Sequence, residues 1–160
     1  MIEDDLAELV VDESTLVLGV ETSCDETAAA LVMGGYDVVS NVVSTQIDLH
    51  ADFGGVVPEV ASRAHLDALN PVIARAIVEG GVDESRIDAI ACPVGPGLVG
   101  ALLVGVSAAK SLALAWDKPF VGVNHMEAHL YAASLEDPTL EFPLVVLLVS
   151  GGHTMLVEMQ

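Results

Sequence analysis

Aromatic side chains are scarce in this 160-residue chain, at 4% of the total, so Val, Leu, Ile and Ala must fill whatever core it builds. Positive charge is scarce too. Arg63, Arg75, Arg86, Lys110 and Lys118 stand against 24 Asp and Glu, which gives a net charge of -19 and a pI near 4.1. Phosphate backbones and anionic membranes are held by clustered Lys and Arg, so this chain alone is excluded as a nonspecific binder of either. A nucleic-acid substrate delivered by a partner or by another domain is not excluded. With only Cys24 and Cys92 there is no disulfide framework, and Met1 to Ser14 carries six acids and no base, unlike a secretory leader. The expectation is a cytoplasmic, reduced protein.

What is abundant is apolar: 52% hydrophobic against 18% charged residues, with mean hydropathy +0.60. That is enough apolar surface to offset the chain entropy of folding, and the length suits one buried core. Gly97 to Trp116 is nearly all apolar, but Lys110 lies inside it and Pro96 and Pro119 bracket it. It reads as a helix covered on all sides within an α/β protein, and no membrane partner is expected.

Met1 to Ser14 reads as a frayed acidic extension (1–14). Leu16 to Glu21, Ala28 to Met33 and Asp37 to Thr45 read as three antiparallel strands, with Gly34-Gly35 as a two-residue turn between the last two. A loop from Gln46 to Val57 leads to a helix with Pro58 at its first position and apolar residues at Val60, Ala61, Leu66, Leu69, Ile73 and Ile77. Gly80-Gly81 ends it, and Pro71 inside it predicts a kink. Ile87 to Cys92, a helix over Leu98 to Trp116 and Pro119 to Val123 form a β-α-β unit with parallel strands. His125 to Leu135 reads as a further helix. Leu144 to Val149 and Thr154 to Met159 read as a hairpin closed through Ser150-Gly151-Gly152-His153. The fold class is therefore α/β: a ribonuclease H-like lobe with a mixed sheet (15–137), followed by the opening hairpin (143–160) of a second lobe, as in the actin-like ATPase (ASKHA) architecture. A two-stranded ribbon is marginal by itself, so the chain is expected to be the N-terminal half of a longer protein.

Several clusters bear on chemistry. His125 and His129 lie four residues apart on one helical face, a bidentate arrangement for a divalent transition metal, although two exposed histidines would share that spacing. A zinc protease needs H-E-x-x-H, whereas Glu127 lies about 200° around the helix from His125, so peptidase chemistry is disfavoured. Gly95-Pro96-Gly97-Leu98-Val99-Gly100 matches the dinucleotide pattern, but Asn124 stands where an acid should hold the ribose, which favours close helix packing. Ser150 to Thr154 offers unobstructed backbone N–H groups to an oxygen ligand. Glu21 to Thr27 is a polar turn with more acids and small hydroxyls than a hairpin needs, and Cys24 within it has no basic neighbour to make it a nucleophile. His50 reads as a loop residue without a role, and Arg63 and His65 read as surface or capping residues that could alternatively line a cleft.

Taken together, Gly19 to Thr27, Gln46 to His50, Gly54 to Glu59, Ala61 to Arg63, Gly95 to Leu103, His125 to Leu130 and Val149 to Thr154 resemble one family in order: the bacterial tRNA adenosine threonylcarbamoyltransferases (TsaD), formerly described as glycoprotein endopeptidases. The resemblance implies a two-lobe acyltransferase that moves the threonylcarbamoyl group from threonylcarbamoyl-AMP to the adenosine beside the anticodon of tRNAs reading codons that start with A. It implies that His125 and His129 hold one divalent ion, iron or zinc, that a third ligand, an aspartate, lies in the second lobe, and that Leu148, Val149, Ser150, Gly151 and Gly152 contact the carbamoyl substrate. It implies as partners tRNA, a shorter paralogue of the same fold (TsaB) and a small ATPase (TsaE), and it implies that 160 residues are incomplete and inactive alone. Two other readings share the fold: a non-catalytic dimerisation lobe that pairs with the paralogue, and an actin-like ATPase or sugar kinase, against which the histidine pair argues.

Overall fold

The computed structural model describes residues 11–137 and 139–160. The strands are β1 (Leu16–Glu21), β2 (Glu26–Met33), β3 (Asp37–Thr45), β4 (Ala89–Gly95), β5 (Phe120–Asn124), β6 (Leu144–Val149) and β7 (Thr154–Met159). The helices are α1 (Ile47–His50), α2 (Pro58–Gly80), α3 (Val99–Trp116) and α4 (His125–Glu136). The first five strands form a mixed sheet in the order β3-β2-β1-β4-β5. β1 runs antiparallel to β2 and parallel to β4, β3 is antiparallel to β2, and β5 is parallel to β4. β6 and β7 pair separately as an antiparallel ribbon from Leu144↔Met159 to Val149↔Thr154.

The alternation along β1 sends Leu16, Leu18 and Val20 to one face. There they join Ala29 and Leu31 of β2, Ile90 and Cys92 of β4, and the inner sides of α2 and α3 in one core. Ile87 belongs to that core but not to a strand. Its N–H closes a 3-10 turn on Glu84 at 3.2 Å, so β4 starts at Ala89 instead of Ile87 and runs on to Gly95 opposite Asn124.

Other local expectations change for physical reasons. β2 begins two residues early because Glu26 and Thr27 pair with Thr45 and Ser44. The β2–β3 turn holds three residues, since Met33 pairs with Asp37 and the Tyr36 N–H reaches the Met33 carbonyl at 3.2 Å; Gly34 and Gly35 take φ of 60° and 82°. Of the extension expected to fray, Met1 to Val10 lies outside the described residues, while Asp12 to Thr15 is an ordered turn. Asp12 Oδ1 accepts from the Ser14 N–H at 2.8 Å, and the Thr15 carbonyl accepts from Gly34. The expected loop after β3 contains α1 and a 3-10 turn, Ala51–Phe53.

α2 runs from Pro58 through Pro71 to Gly80, and the left-handed Gly81 (φ 61°) caps it by donating to Val78 at 3.1 Å. Its buried stripe is Ala61, His65, Leu69, Val72, Ile73 and Ala76, so Leu66, counted on the apolar face from the sequence, points outward. α3 is long and apolar enough to cross a membrane by composition, yet its buried residues are Ala101, Gly105, Ala109 and Ala113. Small residues at every fourth position let the helix axis approach the sheet closely. The helix is not covered on all sides: Val99 is 74% and Leu114 86% exposed.

The tightest point of that approach is Gly105, where a Cβ would overlap Thr22 Oγ1 and sit 3.2 Å from Cys92 Sγ. Gly105→Val is therefore expected to cost about 1–3 kcal/mol in chemical denaturation, overpacking outweighing any helix-propensity gain. Gly151→Ala, where an added Cβ meets nothing within 4 Å, is the matched control and should leave the midpoint unmoved.

Candidate metal and substrate site

Because β1, β4 and β5 are parallel, their C-terminal ends lie along one edge of the sheet. That edge gathers the turn after β1, the Gly-rich turn after β4 and the start of α4, which is where ligands bind in open α/β sheets. The turn after β1 is held on all sides. The Thr22 hydroxyl donates to the Ala101 carbonyl at 2.8 Å and accepts from the Gly105 N–H at 3.1 Å, the two groups that an α-helix pairs with each other. The Ser23 carbonyl accepts from the Leu98 N–H at 2.9 Å. The Cys24 carbonyl lies 3.1 Å from His65 Nε2.

The Gly95-to-Gly100 segment serves packing. A Cβ on Gly97 would lie 2.7 Å from the Ser23 carbonyl oxygen, and one on Gly100 would lie 2.5 Å from Ser62 Oγ. Gly97 lets α3 seat against the backbone of the β1 turn, whereas at Gly100 the close neighbour is the movable Ser62 side chain of α2. Asn124 caps α4: its side-chain oxygen accepts from the N–H groups of Met126 and Glu127, at 2.9 and 3.3 Å.

That cap places His125 at the first helical position. Its Nε2 lies 3.1 Å from His129 Nε2, with ring centroids 4.5 Å apart and planes inclined at 76°. Zinc–imidazole bonds of about 2.0–2.1 Å span such a nitrogen separation at an angle near 100°, so the pair fits as two ligands of one divalent ion. Among the described residues no group of three His, Cys, Asp or Glu side chains is placed to hold a metal. The carboxylate against His125 is Glu21, with Oε2 3.0 Å from Nδ1, and not the exposed Glu127. Ser23 Oγ lies 3.1 Å from the same nitrogen.

At the β6–β7 turn, the Ser150 N–H donates to the His153 carbonyl at 2.8 Å and the His153 N–H to Ser150 Oγ at 3.2 Å. The turn closes through the expected residues. Leu148 is buried, whereas Val149, Ser150, Gly151 and Gly152 are exposed. Among the described residues no hydrogen bond joins these five to His125 or His129.

Neither thiol has surroundings that favour the thiolate. Partial desolvation of the sulfur, helped by Asp25 and Glu21, pushes the thiol of the otherwise exposed Cys24 up to about 11, and burial pushes Cys92 up to about 12. Arg63 is an exposed residue paired with Glu59 at 2.9 Å. His65 is neither surface nor cap. It is 0% exposed, with Nδ1 2.8 Å from Thr27 Oγ1 and 3.2 Å from Gln46 Nε2. Gln46 Oε1 in turn lies 3.2 Å from Nε2 of the buried His50, whose Nδ1 accepts from the Val57 N–H at 3.4 Å. On both rings the partners suit an accepting Nδ1 and a donating Nε2. Sequence reasoning missed this network because it weighed histidines for surface or ligand roles; the signal available was that His65 stands four residues from Ala61 and from Leu69 on the buried stripe. It placed Glu21 in a polar turn richer in acids than a hairpin needs, but missed its contact with His125.

Known proteins resemble this chain in sequence and in fold. Residues 37–160 match the family model of TsaD, tRNA N6-adenosine threonylcarbamoyltransferase. A curated tRNA N6-adenosine threonylcarbamoyltransferase from Symbiobacterium thermophilum is 59% identical over 144 residues, which are 90% of this chain and 42% of that protein. One of the same description from Pelobacter propionicus is 60% identical over 141 residues, covering 88% of this chain and 41% of the relative. The chain thus spans about two fifths of the length of the curated relatives it matches. Among solved structures, YeaZ from Pseudomonas aeruginosa superposes with a TM-score of 0.60 at 19% identity, over 89% of this chain and 64% of that one, which supports the actin-like fold.

The buried His65 is expected to make stability depend on pH. Burial holds the His65 imidazole below its ordinary value of about 6.5. Between the lowered folded value and 6.5 the unfolded chain binds a proton that the folded chain refuses, so stability is full above 6.5 and falls as pH drops through it. Urea unfolding between pH 7.5 and 5.5 should show a loss approaching, at most, about 1.4 kcal/mol per pH unit, and His65→Gln should flatten that slope. A wild-type slope equal to the variant's would contradict the assignment.

Proposed function

Because the chain belongs to the tRNA N6-adenosine threonylcarbamoyltransferase family, we propose that it forms the N-terminal portion of an enzyme that acylates tRNA. The threonylcarbamoyl group passes from threonylcarbamoyl-AMP to the adenosine beside the anticodon, in tRNAs reading codons that start with A. A bond forms between adenosine N6 and the carbamoyl carbon, the bond from that carbon to the phosphate oxygen breaks, AMP leaves, and N6 gives up a proton. The observation that carries this reading is the convergence of His125 and His129 at the sheet edge, 3.1 Å between Nε2 atoms.

His125 and His129 hold one divalent ion, iron or zinc, with a third, carboxylate ligand from chain beyond these residues. When bound there, the ion supplies Lewis acidity and a template for substrate oxygens. Leu148, Val149, Ser150, Gly151 and Gly152 contact the carbamoyl substrate, and the open Gly151 and Gly152 let its oxygens approach backbone N–H groups. Residues 15–137 form the first actin-like lobe, 143–160 open a second one, and 1–14 are an acidic extension. The exposed Val145, Leu147 and Val149 on one face of the ribbon support this division, because a second lobe covers such a face. The reaction takes place in the cytoplasm, with TsaB and TsaE as partners.

A second reading, that the lobe serves chiefly to pair with the paralogue, is favoured by one observation. α2 and α3 leave between them a mainly apolar groove of about 390 Å³, lined by Leu66, Leu69, Leu103, Val104 and Ala108 together with the polar Asn70, Ser107 and Ser111, and Leu66 and Leu103 are more than half exposed. The groove shares no lining residue with the histidine site.

Two measurements separate these readings. In a strain depleted of its own enzyme, the whole protein carrying His125→Ala or His129→Ala should lower threonylcarbamoyladenosine in tRNA at least 100-fold by nucleoside mass spectrometry; undiminished modification would overturn the catalytic reading. Leu103→Asp should abolish pairing with the paralogue in sedimentation velocity while leaving zinc binding to the chain unchanged, and retained pairing would remove the groove from the interface.

A further inference from the structure

The contact between Glu21 and His125 joins residues 104 positions apart and has a consequence for the tautomer of the ring. A carboxylate accepts hydrogen bonds and donates none, so the imidazole nitrogen facing it carries the proton. Glu21 Oε2 lies 3.0 Å from His125 Nδ1. We propose that Glu21 is a positioning residue: it holds His125 as the Nδ1–H tautomer and so presents an unprotonated Nε2 to the position shared with His129. The proposal rests on the reading of these histidines as metal ligands.

Both ends of the contact are fixed independently of it. Glu21 is the last residue of β1 paired with β2, opposite Ala28, and the next residue, Thr22, is locked into the backbone of α3. Its second oxygen, Oε1, accepts from the Ser23 N–H, which sets the plane of the carboxylate. His125 is anchored by the Asn124 cap of α4. Ser23 Oγ lies 3.1 Å from Nδ1 and 3.3 Å from Nε2, but a hydroxyl donates or accepts and so does not choose a tautomer. The carboxylate does choose. An unprotonated Nε2 is able to accept from a His129 Nε2–H across the 3.1 Å separation, and His125 and His129 would hold a divalent ion through these two nitrogens once that proton is lost. Carboxylate partners on the far nitrogen of ligating histidines both orient the ring and raise its basicity, and their loss lowers metal affinity about 10–100-fold.

The test uses the 160-residue chain, free of metal at pH 8, with 15N-labelled histidine. Multiple-bond 1H–15N spectra, with His125 assigned by its loss in His125→Asn, should show Nδ1 protonated and Nε2 bare in the wild type. Glu21→Gln keeps the size and an acceptor of the side chain but can also donate, so His125 should shift toward the Nε2–H form. Glu21→Ala should shift it further. Competition with a chromophoric chelator should then give zinc binding about 10–100-fold weaker for Glu21→Ala than for the wild type, with Glu21→Gln between. A wild-type His125 protonated on Nε2, or an Nδ1–H form that persists in Glu21→Gln, overturns the proposal even if Glu21→Ala fails to fold. If the wild type and His125→Asn bind zinc equally, the metal reading fails, and the tautomer result still decides the part played by Glu21.

Discussion

The Thr22 hydroxyl is the constraint on which the site depends. It bridges the Ala101 carbonyl and the Gly105 N–H, so the turn after β1 is bonded into the first two turns of α3 instead of resting on it. A buried hydroxyl with both donor and acceptor satisfied is costly to displace, because either partner left unpaired pays its full desolvation. Glycine at 105, and at 97 along the same approach, is what permits that closeness. Held there, the turn offers Glu21 to α4, the Ser23 carbonyl to Leu98 and the Cys24 carbonyl to His65. Residues of three helices, α2, α3 and α4, therefore fix one short segment, and the polar groups of that segment are mostly committed to structure.

This division explains which parts of the molecule were legible in the sequence. Period-2 alternation in Leu16 to Glu21 and apolar residues at helical spacing after Pro58 are local signals, and they located β1 and α2 within a residue. The spacing of His125 and His129 is local as well, and the helix turns both rings to one point. What is not local was not legible. Glu21 meets His125 across 104 residues through the sheet order, and no spacing rule reports a contact made by parallel strands ending together. His65 was misread for another reason: periodicity counts apolar residues, and a buried histidine with every nitrogen bonded packs as one without being counted as one. The same counting put Leu66 inward, when the stripe runs one residue to its side through His65 and Leu69.

The Gly-rich segment after β4 illustrates how one pattern serves two physical ends. A strand, a glycine turn and a helix N-terminus make a phosphate site when the N–H groups face open space. Here the Leu98 N–H is taken by the Ser23 carbonyl, and the glycines accommodate Ser23 and Ser62. Asn124, judged from the sequence only as a missing acid, instead caps the helix that carries the histidines. Both features build the site from behind.

Charge then bears on how the proposed substrates are shared out over a whole enzyme. Of the five basic side chains, Arg63 and Arg75 lie in exposed ion pairs with Glu59 and Glu79, Lys118 bonds the Ser85 carbonyl and Lys110 sits 5.2 Å over the Phe120 ring. Among the described residues no basic stripe remains to track a phosphate backbone, whose binding scales with the number of phosphates neutralised. A field set by 24 acids favours a cation at the histidine pair and repels a polyanion everywhere else. If the proposed reading holds, basic surface for the tRNA backbone has to come from outside these residues.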